Sequence, residues 1–149
     1  MLNDYIGEGH FNGVVVRMED RTWSKHDVDQ ILDVLDRERK LGRRVLLAGV
    51  FGGRLSEGID YHNGLLDAVA CIGIPNPPPS IHQKALRTYI EERFGRADAW
   101  RYASTQPAIN SILQAMGRPI RSIDDRALIL LLDKRNTDRT YLECFPKDI

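Results

Sequence analysis

The sequence predicts an α/β fold with a mostly parallel sheet and helices on both of its faces. Three apolar runs, at residues 45–50, 68–74 and 127–132, lack the alternation of a half-exposed strand. Such runs are typical of parallel strands that are covered on both faces. Segments with helical periodicity separate them, and this order of strands and helices implies parallel pairing.

The first half of the chain predicts a strand, a helix and a strand. Residues 14–17 predict the first strand, and Ser24 with Asp27 forms a variant capping box for the helix that follows. Gly42 is placed to end this helix. The apolar residues of the helix fall on one face: Val28, Ile31, Leu32 and Leu35. Residues 51–61 then predict a loop between two strands.

The second half predicts further helices around the other two apolar runs. The proline-rich residues 75–79 predict an extended connector. Ser80 caps the next helix, with Gln83 at the capping-box position and Gly95 beyond its end, and Asp98 caps another. Pro107 predicts a break or kink before a fresh helix that runs to Met116. Residues 140–145 predict an edge strand.

Length and composition indicate one domain, residues 1–149, without an internal linker. The 21 basic and 21 acidic residues balance, so no overall positive field indicates nucleic-acid binding. We interpret Cys71 and Cys144 as reduced intracellular thiols, and we expect Cys71 to be buried. No apolar run is long enough to span a bilayer.

Residues 114–121 (QAMGRPIR) are the most informative segment of the chain. Gln114 is followed by Arg118 four residues later and by Arg121 three residues after that. A guanidinium group pairs bidentately with phosphate oxygens, so two arginines aimed at one place indicate an anionic ligand such as a triphosphate. The alternative is a helix end with surface arginines that complement its dipole.

A second polar segment, residues 52–61 (GGRLSEGIDY), follows the apolar run at 45–50. Its three glycines allow the backbone to approach a ligand closely. In open parallel sheets, ligands bind beyond the carboxyl ends of the strands, where this segment is predicted to lie. The alternative is a polar turn between two strands.

Other nucleotide and catalytic motifs are missing from the sequence. It contains no GxxxxGK[ST] phosphate loop and no Asp-Glu pair after a strand for magnesium. It also has no HExxH metal motif and no GxSxG nucleophile elbow. A chain with arginines for a triphosphate and no loop to cradle it predicts half of a site.

Together the two segments resemble the C-terminal motor domain of the XPD/DinG family of superfamily 2 DNA helicases. Residues 53–61 resemble motif V of that family, whose core is SEGID followed by an aromatic residue, and residues 114–121 resemble its motif VI, QxxGRxxR. Asp125 and residues 133–135 (DKR) match the continuation of the motif. The resemblance extends from about Val14 to Arg135.

This resemblance implies a RecA-like, three-layer domain that works against a separate first motor domain. The first domain would hold ATP and Mg²⁺ and, in many members, an iron–sulfur cluster. Arg118 and Arg121 would be the arginine fingers, and Gln114 would position the nucleotide or the attacking water. Gly58 and Asp60 would line the ATP cleft. The residues expected to contact single-stranded DNA are Arg54, Ser56, Lys134 and Arg135.

The implied partners are single-stranded DNA, the first motor domain and subunits of a repair complex, and no membrane. The expected location is intracellular, in the nucleoid of a prokaryote or the nucleus of a eukaryote. Two departures stand out: residues 1–13 do not match the first strand and motif IV, and Pro119 occupies a position where the family has small or apolar residues. From the first departure we expect a fragment of a longer helicase or a divergent start, and from the second a geometry of the two arginines that is individual to this chain.

Two other functions remain open at this point. One is a protein-interaction domain that descends from a helicase and has lost its motor activity. The other is a stand-alone nucleotide-binding α/β domain.

Overall fold

The described residues contain four strands, which form two parallel pairs, each within its own compact part of the chain. The computed structural model describes Asp4 and residues 7–61 and 64–147. Contacts divide the chain into unit 1, Met1–Leu66, and unit 2, Asp67–Ile149. The expected departure at residues 1–13 therefore lies partly outside the described residues. That residues 1–149 act as one domain stays a prediction.

Unit 1 is a β-α-β unit. Strand β1 (Val14–Met18) pairs in parallel with β2 (Arg44–Ala48), and helix α1 (Lys25–Lys40) connects them. A short helix, α2 (Arg54–Glu57), follows β2 inside the segment that the sequence predicted as a loop. The core of the unit consists of buried apolar residues from α1 and the α2 region: Val28, Ile31, Leu35, Leu55, Ile59 and Tyr61.

Helix α1 begins and ends as its sequence predicts. The Asp27 backbone N–H donates to the Ser24 hydroxyl at 3.3 Å, and the Ser24 backbone N–H donates to the Asp27 carboxylate at 2.6 Å. This is the predicted capping box, and it lowers the pKa of Asp27. Gly42 follows the helix with φ +68°, the left-handed conformation that ends many helices.

Unit 2 contains the second parallel pair, β3 (Ala68–Ile72) with β4 (Leu128–Leu132). Between them lie α3 (Ile81–Phe94), α4 (Arg96–Trp100), a π-helical turn (Arg101–Thr105) and α5 (Gln106–Met116). Parallel pairing with helical crossovers confirms the predicted α/β class. Both cysteines are free and buried, and burial raises the pKa of the Cys71 thiol.

Burial alternates along β3 and β4 of unit 2, whereas the apolar runs in the sequence show no alternation. The partly or fully buried face carries Val69, Cys71, Ile129 and Leu131. Successive strand residues point to opposite faces. The alternate positions are exposed: Ala68, Ala70, Ile72, Leu128, Leu130 and Leu132.

The prediction that Asp98 caps a helix is wrong. Helix α4 begins two residues earlier, directly after Gly95, whose φ of +93° ends α3 and suits a residue without a side chain. The chain does not break at Pro107 as predicted: the helical conformation continues from α4 through the π-helical turn into α5, which begins at Gln106. Proline has no N–H to donate to the preceding turn, and a local π-helical turn accommodates this loss.

The edge strand predicted at residues 140–145 is wrong as well. Helix α6 (Arg139–Leu142) occupies this stretch, after a 3₁₀ helix (Lys134–Thr137). Helical spacing explains the difference, because Arg139 pairs with Glu143 one turn later, at 2.6 Å. In the part of the chain that the structure describes, no helix is long and apolar enough to cross a membrane.

Candidate functional site

The motif V loop, which we define as residues 49–61, leaves the carboxyl end of β2 and forms a tight turn. Gly52 has φ +75°, and the Gly53 N–H donates to the Val50 carbonyl at 2.9 Å. Helix α2 follows, and the Gly58 N–H ends it by donating to the Arg54 carbonyl at 2.8 Å. The segment is therefore a turn and a single helical turn rather than an open loop.

Apolar and polar residues of the motif V loop separate by exposure. Leu55, Ile59 and Tyr61 are buried, and the Tyr61 hydroxyl donates to the Leu55 carbonyl at 3.1 Å. Three residues of the loop that the sequence singled out as functional are exposed: Arg54, Gly58 and Asp60. The apolar residues thus anchor the loop in the core of unit 1 and leave the polar ones at its surface.

Ser56 is half-buried and has an internal role in the loop. Its hydroxyl lies within hydrogen-bond distance of two carbonyls, Val50 at 3.1 Å and Gly53 at 3.0 Å. It therefore braces the turn against α2. A DNA phosphate would have to compete with these carbonyls for the hydroxyl proton.

The sequence reasoning missed Glu19, which contacts the motif V loop from the end of β1. Its carboxylate accepts hydrogen bonds from the backbone N–H groups of Arg54, Val50 and Leu55, at 2.5, 3.2 and 3.4 Å. No local signal identifies this contact, because the partners lie 31 to 36 residues along the chain.

The motif VI segment, which we define as residues 114–126, begins in the last turn of α5. Ala108, Ile109 and Ile112 anchor this helix in the core of unit 2, while Gln114 lies exposed on it. The Gly117 N–H donates to the Leu113 carbonyl at 3.0 Å and closes the helix.

The two arginines of the motif VI segment lie on either side of a buried proline. Pro119 is fully buried, Arg118 is half-buried and Arg121 is exposed. Because proline fixes its own φ and restricts the residue before it, Pro119 limits the backbone between the two arginines.

A carboxylate also holds the motif VI segment, and here it comes from the segment itself. Asp125 accepts hydrogen bonds from the backbone N–H groups of Arg121 and Ser122, both at 2.7 Å. The N–H groups of Arg121 and Ser122 lower the pKa of the Asp125 carboxyl, so it stays ionised. The backbone of Arg121 is thereby fixed just before the chain enters β4.

The polar residues after β4 form a local ion pair. Arg135 binds Asp133 through its guanidinium, with an Nη2–Oδ2 distance of 2.6 Å and an Nε–Oδ1 distance of 3.0 Å. The hydrogen bonds from Arg135 lower the pKa of Asp133 to about 2. Lys134 is exposed, so the structure distinguishes the two basic residues: Arg135 is engaged by its neighbour and Lys134 faces solvent.

Comparison with known proteins identifies the family. The sequence profile of a family described as "Helicase C-terminal domain" matches residues 7–149. The chain belongs to the helicase C-terminal domain family. The match extends beyond the residues 14–135 over which the motifs carry the resemblance.

Named relatives of this helicase C-terminal domain are DNA helicases. The chain is 37% identical over 95 residues to the "ATP-dependent DNA helicase XPD" of Sulfolobus acidocaldarius. This alignment covers 62% of the chain and 17% of that relative. The chain is also 33% identical over 121 residues to the "ATP-dependent DNA helicase chl1" of Schizosaccharomyces pombe. This alignment covers 75% of the chain and 14% of that relative.

A solved structure shows the same fold. An XPD helicase matches 96% of this chain and 29% of its own chain, with 26% sequence identity and a TM-score of 0.68. The RecA-like fold expected from the motifs is thereby confirmed. The chain spans about a sixth of the length of the two helicases named above, 17% and 14%. The roles of individual site residues stay predictions.

Proposed function

We propose that this helicase C-terminal domain is the second motor domain of an ATP-dependent DNA helicase. Its residues Arg118 and Arg121 would reach ATP that a separate first motor domain holds. The observation that carries this proposal is the QxxGRxxR segment in a chain that has no phosphate loop of its own. The names of the relatives, ATP-dependent DNA helicases, support the reaction.

Charge neutralisation is the chemistry that the arginines supply. Phosphoryl transfer depends mainly on positioning and on stabilising charge on the transferred group, and an arginine finger contributes about 10³–10⁵ in rate. Gln114, exposed one turn before Arg118, would position the nucleotide or the attacking water. A finger on a separate domain makes hydrolysis depend on domain closure, which in turn moves DNA.

The metal and the cluster belong to the first motor domain in this proposal. Among Asp4 and residues 7–61 and 64–147, no group of three or more His, Cys, Asp or Glu residues is placed to hold a metal ion. The proposal gives Mg²⁺, and any iron–sulfur cluster, to the first motor domain, as the resemblance implies. ATP is the substrate that the two motor domains would share.

The motif V loop would couple the ATP cleft to single-stranded DNA. Gly58 and Asp60 are exposed at the end of α2 and would line the cleft, and Arg54 would contact the DNA backbone. Lys134 is better available for DNA than Arg135, because Asp133 engages the Arg135 guanidinium. Ser56 would contribute mainly through the shape of the loop. A helicase function also implies a compartment that contains DNA, and repair-complex subunits as candidate partners.

Substitution of the proposed finger tests the proposal. In the full-length protein, we expect Arg121→Ala to lower DNA-stimulated ATP hydrolysis by about 10³ or more, because charge on the transferred phosphoryl group loses its partner. Arg126→Ala is the matched control, since Arg126 is an exposed arginine five residues further along. A near-normal rate in Arg121→Ala would exclude the finger role.

Binding of ATP by the 149-residue chain discriminates the alternatives. A half-site predicts weak binding, on the order of millimolar, and no turnover. Tight binding would favour a stand-alone nucleotide-binding domain. A full-length protein whose other half lacks a phosphate loop would favour an interaction domain without motor activity.

A further inference from the structure

Glu19 lies directly after β1 and is aligned by the sheet. Its backbone N–H donates to the Ala48 carbonyl at 2.7 Å, which continues the β1–β2 pairing by one residue beyond Met18. This bond fixes the Glu19 backbone beside the end of β2, where the motif V loop begins. The half-buried side chain therefore points from a rigid element into the loop.

Three backbone donors of the loop converge on this carboxylate. Oε1 accepts from the N–H groups of Arg54 at 2.5 Å and Leu55 at 3.4 Å, and Oε2 accepts from that of Val50 at 3.2 Å. Hydrogen bonds to an ionised acceptor are stronger than neutral ones. One side chain thus joins the start of the turn to the first two residues of α2.

The glycines of the loop make room for the carboxylate. A Cβ atom on Gly49 would lie 2.7 Å from Glu19 Oε2, and a Cβ on Gly53 would overlap both carboxylate oxygens. Neither glycine has a positive φ, so backbone conformation does not explain either of them. Close approach of the Glu19 side chain does.

We propose that Glu19 is a positioning residue that holds the motif V loop in the shape needed to couple DNA binding to ATP hydrolysis. The coupling part of this proposal rests on the proposed motor function. Glu19 does not touch DNA or nucleotide in this account. It acts through the backbone of Val50, Arg54 and Leu55, and so it sets where the exposed Arg54 side chain starts.

Hydrogen exchange tests the structural part without reference to activity. In full-length protein, Glu19→Ala should speed amide exchange in residues 50–57 and leave residues 107–121 of unit 2 unchanged. Asp20→Ala is the matched control, because the Asp20 carboxylate accepts from the neighbouring Thr22, at 2.8 and 2.7 Å, and among the described residues none of its hydrogen bonds comes from the motif V loop. Equal exchange in Glu19→Ala and the wild type would overturn the proposal.

The DNA dependence of ATP hydrolysis tests the coupling part. We expect Glu19→Ala to raise the DNA concentration for half-maximal stimulation about tenfold, the scale of one lost hydrogen-bonded contact. Glu19→Gln should fall between Glu19→Ala and the wild type, because its amide oxygen still accepts while its NH₂ opposes one of the N–H donors. A half-maximal concentration equal to that of Asp20→Ala would overturn the coupling.

A double mutant separates contact from general destabilisation. Gly53→Ala should itself raise the half-maximal DNA concentration, because its Cβ meets the Glu19 carboxylate. In a Glu19→Ala background, Gly53→Ala should raise the half-maximal DNA concentration by a clearly smaller factor, because the carboxylate that its Cβ would meet is gone. Neighbouring groups are coupled in this way, whereas independent ones add. Additive effects would count against the contact.

Arg121→Ala, measured in the same assay, distinguishes failure of the positioning role of Glu19 from failure of the proposed motor function. If it loses ATP hydrolysis while Glu19→Ala behaves as the wild type, the positioning role is wrong and the motor function stands. If Arg121→Ala hydrolyses ATP normally, the motor function is wrong and the coupling role of Glu19 falls with it. The exchange rates at residues 50–57 then still decide whether Glu19 holds the loop.

Discussion

The motif V loop and the motif VI segment are both held by a carboxylate that accepts backbone N–H groups, but the carboxylates come from different distances along the chain. Asp125 binds residues three and four positions before it. Glu19 binds residues 31, 35 and 36 positions after it. One segment therefore carries its own support, while the other depends on β1 being paired with β2.

The conformation of the motif VI segment therefore depends on local contacts, and that of the motif V loop depends on tertiary contacts. The turn around Asp125 needs only a short stretch of chain to form, so it should persist when the rest of the domain is loosened. The motif V loop should lose its shape as soon as β1 moves. In the proposed motor, a movement of β1 would change the loop directly, because Glu19 at the end of β1 binds the loop backbone.

Among changes to the supports of the two segments, the largest effect is expected from removing the local carboxylate. Asp125→Ala in the full-length protein should lower kcat for ATP hydrolysis by about tenfold to a hundredfold, since a small misplacement of a catalytic group has effects of this size. Steady-state kinetics measures it. Asp124→Ala is the matched control, because Asp124 is an exposed neighbouring carboxylate. Equal rates for the two variants would remove Asp125 from the positioning of Arg121.

Peptides sharpen the comparison directly. A peptide of residues 117–127 should populate the Asp125 turn, and the amide shifts of Arg121 and Ser122 should titrate together with the Asp125 carboxyl. A peptide of residues 48–61 should show no such turn and no helix, because Glu19 is missing and isolated short helices are marginal. NMR in solution measures both. An ordered 48–61 peptide would show that the loop does not need Glu19.

A smaller, pH-dependent effect is expected from the ion pair after β4. The pKa of Asp133 is lowered to about 2 from its ordinary 3.8, so its contribution to stability is present above pH 3.8 and is lost as the pH falls toward 2. The difference in Tm between the wild type and Asp133→Asn should therefore be constant near neutral pH and shrink below pH 3.8.

Asp138→Asn provides the control for this titration, because the Asp138 side chain makes no capping hydrogen bond to α6. Its Tm difference from the wild type should stay small throughout. A difference for Asp133→Asn that persists at pH 2 would show that the Asp133–Arg135 pair does not stabilise the fold.

The smallest effect is expected from the capping box of α1, another local support. Ser24→Ala should lower the free energy of unfolding by about 1 kcal/mol, the usual loss when a serine N-cap is removed. Denaturant unfolding measures it. A free energy of unfolding equal to that of the wild type would contradict the role of the box.

Local signals account for what the sequence predicted correctly. The Ser24–Asp27 box and the helix end at Gly42 each depend on a few neighbouring residues, and both are present. The two motifs were recognisable because each consists of residues at fixed spacing within a short segment. Each motif is also held by a carboxylate. The sequence identifies such a residue only when it lies close to the motif along the chain, as Asp125 does.

Tertiary competition accounts for what could not be predicted. Gln83 occupies a capping-box position, but its side-chain amide donates to the Ala103 carbonyl across unit 2. The sequence of residues 140–145 is compatible with a strand or a helix. The helix α6 forms, and it brings Arg139 and Glu143 together as an ion pair one turn apart. Glu19 carries no local signal at all, since its partners are brought to it by β1–β2 pairing.

The most direct test of the central claim compares Arg121→Ala with the wild type for two ligands of the full-length protein. An arginine finger stabilises the transition state more than the ground state. Affinity for ADP with aluminium fluoride should therefore fall by about a hundredfold or more in Arg121→Ala, while affinity for a non-hydrolysable ATP analogue changes far less. Equal losses for both ligands, or no loss for either, would contradict the assignment of Arg121 as a finger.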